Sequence, residues 1–183
     1  MRGWFFRIAV AAVLTAGPAH ALELHQLDID TAKGTYTVEM SFSARATPAR
    51  IIAALTAYDN PGRLNPDVEA MEVVAQFDGV TRVRTDFRAC ALVFCNDLEM
   101  LQDVSVSPGR IIADIVPTTG QFSSGRYDWR ITPTGEDGAL VRFQATVNYE
   151  FFVMPVIGKL MLKRQLRKQL LLTAENLEVE ASR

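Results

Sequence analysis

The chain has 183 residues, 49% of them hydrophobic, with 19 Lys and Arg against 21 Asp and Glu. That length fits one domain with room for a core and a cavity. The near-neutral, slightly acidic balance lacks the basic patch or stripe that nucleic-acid binding requires, so no nucleic-acid partner is expected.

Arg2 and Arg7 place positive charge at the front, an apolar run covers residues 8–16, and Ala19-His20-Ala21 follows Gly17-Pro18. Charge, short apolar core and small-x-small site are the three parts of a secretory signal peptide. The run is well short of the roughly 20 residues a membrane-spanning helix needs. An uncleaved N-terminal anchor is the alternative. Residues 1–21 are therefore read as the signal peptide and 22–183 as the domain, exported to the periplasm. Without Arg2 and Arg7 the basic residues number 17 against 21 acidic, a net charge of −4.

In chain order, residues 22–29 read as extended, with Leu22, Leu24, Leu27 and Ile29 apolar. After a turn at residues 31–34, Tyr36, Val38, Met40 and Phe42 alternate with polar residues, the period of a half-buried strand. Thr47-Pro48 opens a helix, with Thr as N-cap and Pro at the first helical position. Ile51, Ile52 and Leu55 give it an apolar face. Asn60-Pro61-Gly62 breaks it, and Leu64-Asn65-Pro66-Asp67 reads as a second short helical turn or loop.

Strands come next. Met71, Val73, Ala75 and Phe77 alternate up to Asp78-Gly79, and Val83, Thr85, Phe87 and Ala89 alternate out of it. Further runs are Leu98, Met100 and Val104, then Ile111, Ala113 and Ile115, then Tyr127, Trp129 and Ile131. The cleanest strand is residues 141–151, with Val141, Phe143, Ala145, Val147, Tyr149 and Phe151 on one face and polar residues on the other. Such a pattern fits an antiparallel sheet with one wet face. A long helix from about Pro155 to Ala181 ends the chain, with Val156, Leu160, Leu166, Leu170, Ala174 and Leu177 on one broad face.

Cys90 and Cys95 bracket Ala91-Leu92-Val93-Phe94. In an oxidising compartment such a close pair reads as a disulfide. Two thiols are half a zinc site, and the spacing is not that of a C-x-x-C redox motif. No metal and no cofactor is expected.

The order of strand, helix pair, six strands and long helix resembles the helix-grip fold of the START-like superfamily, and within it the polyketide cyclase/dehydrase and coenzyme-Q-binding branch. The resemblance rests on three stretches: Thr47-Pro48 through Asn65-Pro66-Asp67; Gly120-Gln121-Phe122 through Gly125, Tyr127, Trp129 and Ile131; and residues 141–151 with Pro155 and the terminal helix. It implies an α+β domain in which a curved antiparallel sheet of about seven strands wraps around the C-terminal helix, with a short helix pair after the first strand. It also implies an elongated apolar cavity between sheet and helix, for a lipid, isoprenoid quinone, sterol or polyketide.

No catalytic constellation is legible. The mature chain has one histidine, His25, near its start. Strand parity turns Asp86, Asp114 and Asp128 away from the apolar face, toward Arg84, Arg88, Arg126 or Arg130. The inward aromatic residues Phe87, Tyr127, Trp129, Phe143, Tyr149 and Phe151 are either ordinary core or, with Leu166 and Leu170, the wall of a ligand cavity, since pockets are mostly apolar with a few placed polar groups. An apolar tip at Leu92 and Phe94 and a basic stripe at Lys159, Lys163 and Arg167 are candidates for weak peripheral membrane contact; a packed tip and a solvated helix face are the alternatives. The leading expectation is an exported binder or carrier of a hydrophobic small molecule. The alternatives are a cyclase/dehydrase-type enzyme on a polyketide-like or isoprenoid substrate, and a protein-binding module with a filled core.

Overall fold

The computed structural model describes residues 22–32, 34–91, 94–117, 121–150 and 157–182; residues 1–21, read as a signal peptide, lie outside them. Eight strands form one antiparallel sheet in the order β1-β2-β8-β7-β6-β5-β4-β3. They are β1 (Glu23–Ala32), β2 (Thr35–Ala44), β3 (Val68–Phe77), β4 (Val80–Ala91), β5 (Phe94–Ser107), β6 (Arg110–Val116), β7 (Phe122–Pro133) and β8 (Ala139–Tyr149). Helix α1 (Pro48–Leu55) lies between β2 and β3, and α2 (Ile157–Ser182) ends the chain. From β3 to β8 the sheet is a meander of neighbouring strands. The segment through α1 carries the chain from β2, beside β8, to β3 at the far edge.

Alternation fixes which face is buried. In β8 Ala139, Val141, Phe143, Ala145, Val147 and Tyr149 are all buried, and in β2 Tyr36, Val38, Met40, Phe42 and Ala44 are. The register sets Met40 opposite Phe143 and Val38 opposite Ala145, so the two inner faces form one apolar surface. Across from it, α2 buries Ala174, Leu177 and Ala181. Helix α2 packs on α1 and β1 and touches β4.

Several details differ from the sequence reading. The sheet has eight strands, because residues 22–29 pair along β2 as a full edge strand. The second helix is a single 3₁₀ turn at Pro61–Arg63, made by the Pro-Gly pair that reads as a breaker. Residues 64–67 form a turn instead, in which the Asp67 N–H donates to Asn65 Oδ1 at 3.0 Å. Thr47 begins α1 without a side-chain cap; its carbonyl accepts from the Arg50 and Ile51 N–H groups, each at 3.1 Å.

Two further differences concern burial. β3 does not keep its alternation: Val73 and Phe77 are 41% and 42% exposed. It is an edge strand with register shifts at Val68/Ala70 and Val73/Ala75, and each shift reverses the parity of the residues beyond it. Phe77 instead meets the Arg82 guanidinium, 5.2 Å from its ring centre. On α2, Leu160 is 52% exposed; six residues before Leu166 it sits about 120° around the helix, outside the buried arc. Val156, Pro155 and Phe151 lie outside the described residues.

Two backbone features, a hairpin turn and a glycine, hold the sheet's shape. Asp78 (φ 48°) and Gly79 (φ 76°) are both left-handed, the two-residue hairpin turn whose twist matches its strands. Gly125 in β7 has no room for a side chain: a Cβ there would stand 2.7 Å from Ile115 Cδ1 and 2.9 Å from the Thr146 carbonyl oxygen.

The outer face carries the charges. Arg82 grips Asp103 through two hydrogen bonds of 2.7 and 2.8 Å. Arg126 does the same to Asp114, and Arg84 pairs with Glu72. Asp128 lies beneath Arg110 and Arg130, both about 2.9 Å from it. Those two guanidinium groups hold its carboxyl below the ordinary carboxylate value against the opposing effect of burial. Of the three strand carboxylates that parity assigns to the wet side, Asp114 and Asp128 are structural partners of arginines, with Arg110 an additional partner, while Asp86 has no ion pair among the described residues.

Candidate functional site

A cavity of about 410 Å³ lies between the concave sheet and α2. It sits where the core divides. One cluster, around β2, β8 and α2, holds most buried residues; a second, of Val83, Val104, Ile111 and Ala113, belongs to the β4–β6 half of the sheet. Tyr127 and Trp129 pack against both. The cavity is lined by both clusters, by α2 through Leu162 and Leu166, and by the α1–β3 connection through Leu55, Tyr58 and Leu64.

Of the expected wall residues, Phe87, Tyr127, Trp129, Phe143 and Leu166 line this cavity together. Phe143 stacks on Tyr127 with ring centres 5.9 Å apart and meets the Trp129 ring at 4.2 Å, tilted by 35°. The adjacent register of Trp129 with Phe143 produces that contact. Tyr149 is buried behind the wall and stacks on Tyr36 at 6.3 Å. Leu170 packs into the main cluster and does not reach the lining. Phe151 lies outside the described residues.

The polar groups of the cavity are few. Tyr36 Oη and Tyr127 Oη are 3.0 Å apart, and Tyr127 Oη is 3.6 Å from Met100 Sδ, as a donor to it. Burial pushes the Tyr127 phenol up to about 12. Burial, and then the Tyr127 neighbour, raise Tyr36 well above its ordinary value. Both remain neutral at physiological pH, able to donate a hydrogen bond and unsuited to act as a phenolate base. Asp67 Oδ2 accepts from Gln165 Nε2 at 3.0 Å and from Gln169 Nε2, so two α2 amides clasp the carboxylate at the cavity. Arg88, also in the lining, turns its charge outward to Asp97 at 2.7 Å and Glu69 at 3.4 Å. His25 is away from the cavity, its Nε2 2.7 Å from Ser43 Oγ on the exposed edge of the sheet.

Tyr36, Met100, Thr85, Gln102 and Asp67 are lining residues that the sequence reading left out of the site. Thr85 and Gln102 carried a signal, since each is a polar residue at an inward parity position. Asp67 carried none that alternation reveals, because it stands in a turn.

The membrane-contact candidates divide. Lys159, Lys163 and Arg167 are exposed on α2 with no ion pair among the described residues. Leu92 and the Phe94 side chain lie outside the described residues. Cys90 and Cys95 are direct cross-strand partners in the β4–β5 register.

The phenol pair sets a pH dependence. Between its ordinary value of 10.0 and about 12, Tyr127 keeps its proton in the folded state and loses it in the unfolded one. Stability contributed this way is complete below pH 10 and lost as pH rises toward 12. Denaturant midpoints measured across that range should fall, and Tyr127→Phe should flatten the decline. An unchanged slope in the variant would contradict a buried, neutral Tyr127.

Residues 35–178 match the family described as polyketide cyclase / dehydrase and lipid transport. No curated protein is a significant match. Among solved structures, the chain is similar to the Zhui aromatase/cyclase from Streptomyces sp. R1128, at 14% identity and TM-score 0.67 over 81% of this chain and 94% of that one. A START superfamily protein from Mycobacterium smegmatis matches at 16% identity and TM-score 0.64, over 80% and 97%. A STAR-related lipid transfer protein from Xanthomonas axonopodis matches at 15% and 0.58, over 82% and 98%. At these identities the structures establish the helix-grip fold, and the coenzyme-Q-binding branch is not distinguished from the rest. Because the family match spans most of the chain, this chain belongs to the polyketide cyclase/dehydrase and lipid transport family.

Proposed function

We propose that the protein is an exported carrier that holds a hydrophobic small molecule, a lipid or isoprenoid, between the sheet and α2. The observation that carries the reading is the apolar and aromatic cavity of about 410 Å³. A filled-core binding module would lack such a space. Burying roughly 250 Å² of apolar ligand surface at about 25 cal/mol per Å² is worth ~6 kcal/mol before the cost of association. The family's lipid-transport description and the lipid transfer protein among the structural neighbours support the ligand class. The cyclase/dehydrase alternative needs an available acid–base group. The Asp67 carboxylate is engaged by Gln165 and Gln169, and the two cavity phenols stay protonated, which leaves donors but no unengaged base among these groups, so binding without chemistry is the reading favoured.

Ala113, on β6, is a small residue in the lining and 8% exposed. Ala113→Phe should occupy the cavity and weaken binding of the neutral dye Nile red at least tenfold, with stability changed by less than the ~1–3 kcal/mol of an overpacked core. Dye binding that survives the substitution would place the ligand elsewhere.

Export rests on the N-terminal pattern of Arg2, Arg7, the apolar run and Ala19-His20-Ala21. The cross-strand register of Cys90 and Cys95 fits the short Cα separation of a disulfide. Intact mass of the periplasmic protein should correspond to a chain starting near Leu22 and rise by two hydrogens on reduction. A full-length mass, or one indifferent to reductant, would count against export or the bridge respectively.

The exposed stripe of Lys159, Lys163 and Arg167 supports docking to an anionic membrane, at about 1 kcal/mol per charge near the surface. Flotation with phosphatidylserine vesicles at low salt should be lost when all three are changed to Gln; equal flotation would remove the membrane from the carrier's route.

A further inference from the structure

Three polar side chains in the lining of the apolar cavity are left wholly or partly unsatisfied by the protein: Thr85 and Gln102 on the sheet, and Gln169 on α2, whose Oε1 has no partner although its Nε2 holds Asp67. Thr85, on β4, is 4% exposed, and its Oγ1 has no hydrogen-bond partner. Gln102, on β5, is 8% exposed, and none of the cavity's side-chain hydrogen bonds engages its amide. Both line the cavity. The register pairs Val83 with Gln102 and Thr85 with Met100, so Thr85 and Gln102 are diagonal neighbours on one face. Diagonal positions stand roughly 7 Å apart, close enough for one ligand oxygen to meet both side chains. Around them are Val83, Met100 and Val104, which offer no polar partner. A buried hydroxyl without a partner is costly, and in this otherwise apolar wall the Thr85 hydroxyl stands beside a glutamine amide that no protein side chain engages, which together make a built feature.

We propose that Thr85 and Gln102 form a polar subsite that receives a neutral oxygen, a carbonyl or a hydroxyl, at the buried end of an otherwise apolar ligand. The inference rests on the cavity being the ligand site. Both side chains donate and accept hydrogen bonds, so either oxygen type is served. The subsite brings no charge. The charged lining residues are already engaged, Asp67 by two amides and Arg88 by Asp97 and Glu69. A carboxylate driven to this depth would lose its hydration without gaining a counter-charge. The ligand class is therefore a neutral amphiphile rather than a fatty-acid anion.

Displacement of Nile red by 2-acetylnaphthalene, 2-ethylnaphthalene and 2-naphthoate tests this, because the first two differ only in a carbonyl against a methylene. The native protein should bind the ketone about tenfold more tightly than the hydrocarbon, with the anion weakest. In the double variant Thr85→Val and Gln102→Leu that preference should vanish while hydrocarbon binding is kept. Thr85→Ser, which retains the hydroxyl, should retain the preference. Equal binding of ketone and hydrocarbon by the native protein overturns the polar subsite and leaves the cavity as the ligand site. Loss of the preference in Thr85→Ser as complete as in the double variant also overturns it. Failure of Nile red and all three probes to bind the native protein removes the cavity reading along with the subsite.

Discussion

A single helix cannot cover an eight-stranded sheet. Strands about 4.8 Å apart make such a sheet more than 30 Å wide, whereas a helix with its side chains is roughly 10–12 Å across. Helix α2 closes on the β1 side through Ala174, Leu177 and Ala181, small enough or deep enough to let the backbone come near. The other half of the sheet is left to curve around a space that α1 and the turn at residues 64–67 help to enclose. Division of the core into two clusters and the location of the cavity both result from this mismatch of widths.

The charges are arranged to keep that space apolar. Arginine–carboxylate pairs occupy the outer face of β3 to β7, where alternation puts them, and few ionisable groups remain to face inward. Individually such exposed pairs contribute little to stability. Asp128 is different, because it is buried beneath Arg110 and Arg130 and opposes Gln144 on β8. Removing either arginine would leave a buried carboxylate short of a partner, the costly half of a broken pair.

Much of this was legible in the residues. Period-two alternation in β2 and β8 is unbroken, and it located both strands and their buried faces. The same parity in β4, β7 and β8 brought Phe87, Tyr127, Trp129 and Phe143 to the cavity. Alternation failed in β3 because the sheet edge leaves Val73 open and the bulge after it resets the parity of Phe77, and nothing in a string of residue types marks either. It also failed to separate core from wall. Tyr149 and Phe143 share a strand and a face, yet only Phe143 reaches the cavity, since Tyr149 is covered by Tyr36. Helix spacing has the same limit: Leu166 and Leu170 are one turn apart, and the difference between lining and packing depends on the curve of the opposing sheet. Asp67 was out of reach for another reason, because its role depends on amides about a hundred positions later in the chain.

The contact of Trp129 with Phe143 has an optical consequence. The sequence contains two tryptophans, Trp4 and Trp129, and Trp4 belongs to the segment read as the signal peptide. In the exported chain a single indole would then sit in the cavity wall, 4.2 Å from a phenyl ring and within van der Waals reach of whatever enters. Its emission maximum depends on the polarity of that space, and its lifetime on quenchers brought there. On the proposed reading the chain would carry its own occupancy gauge, in a position where water leaving and ligand arriving change the same fluorophore.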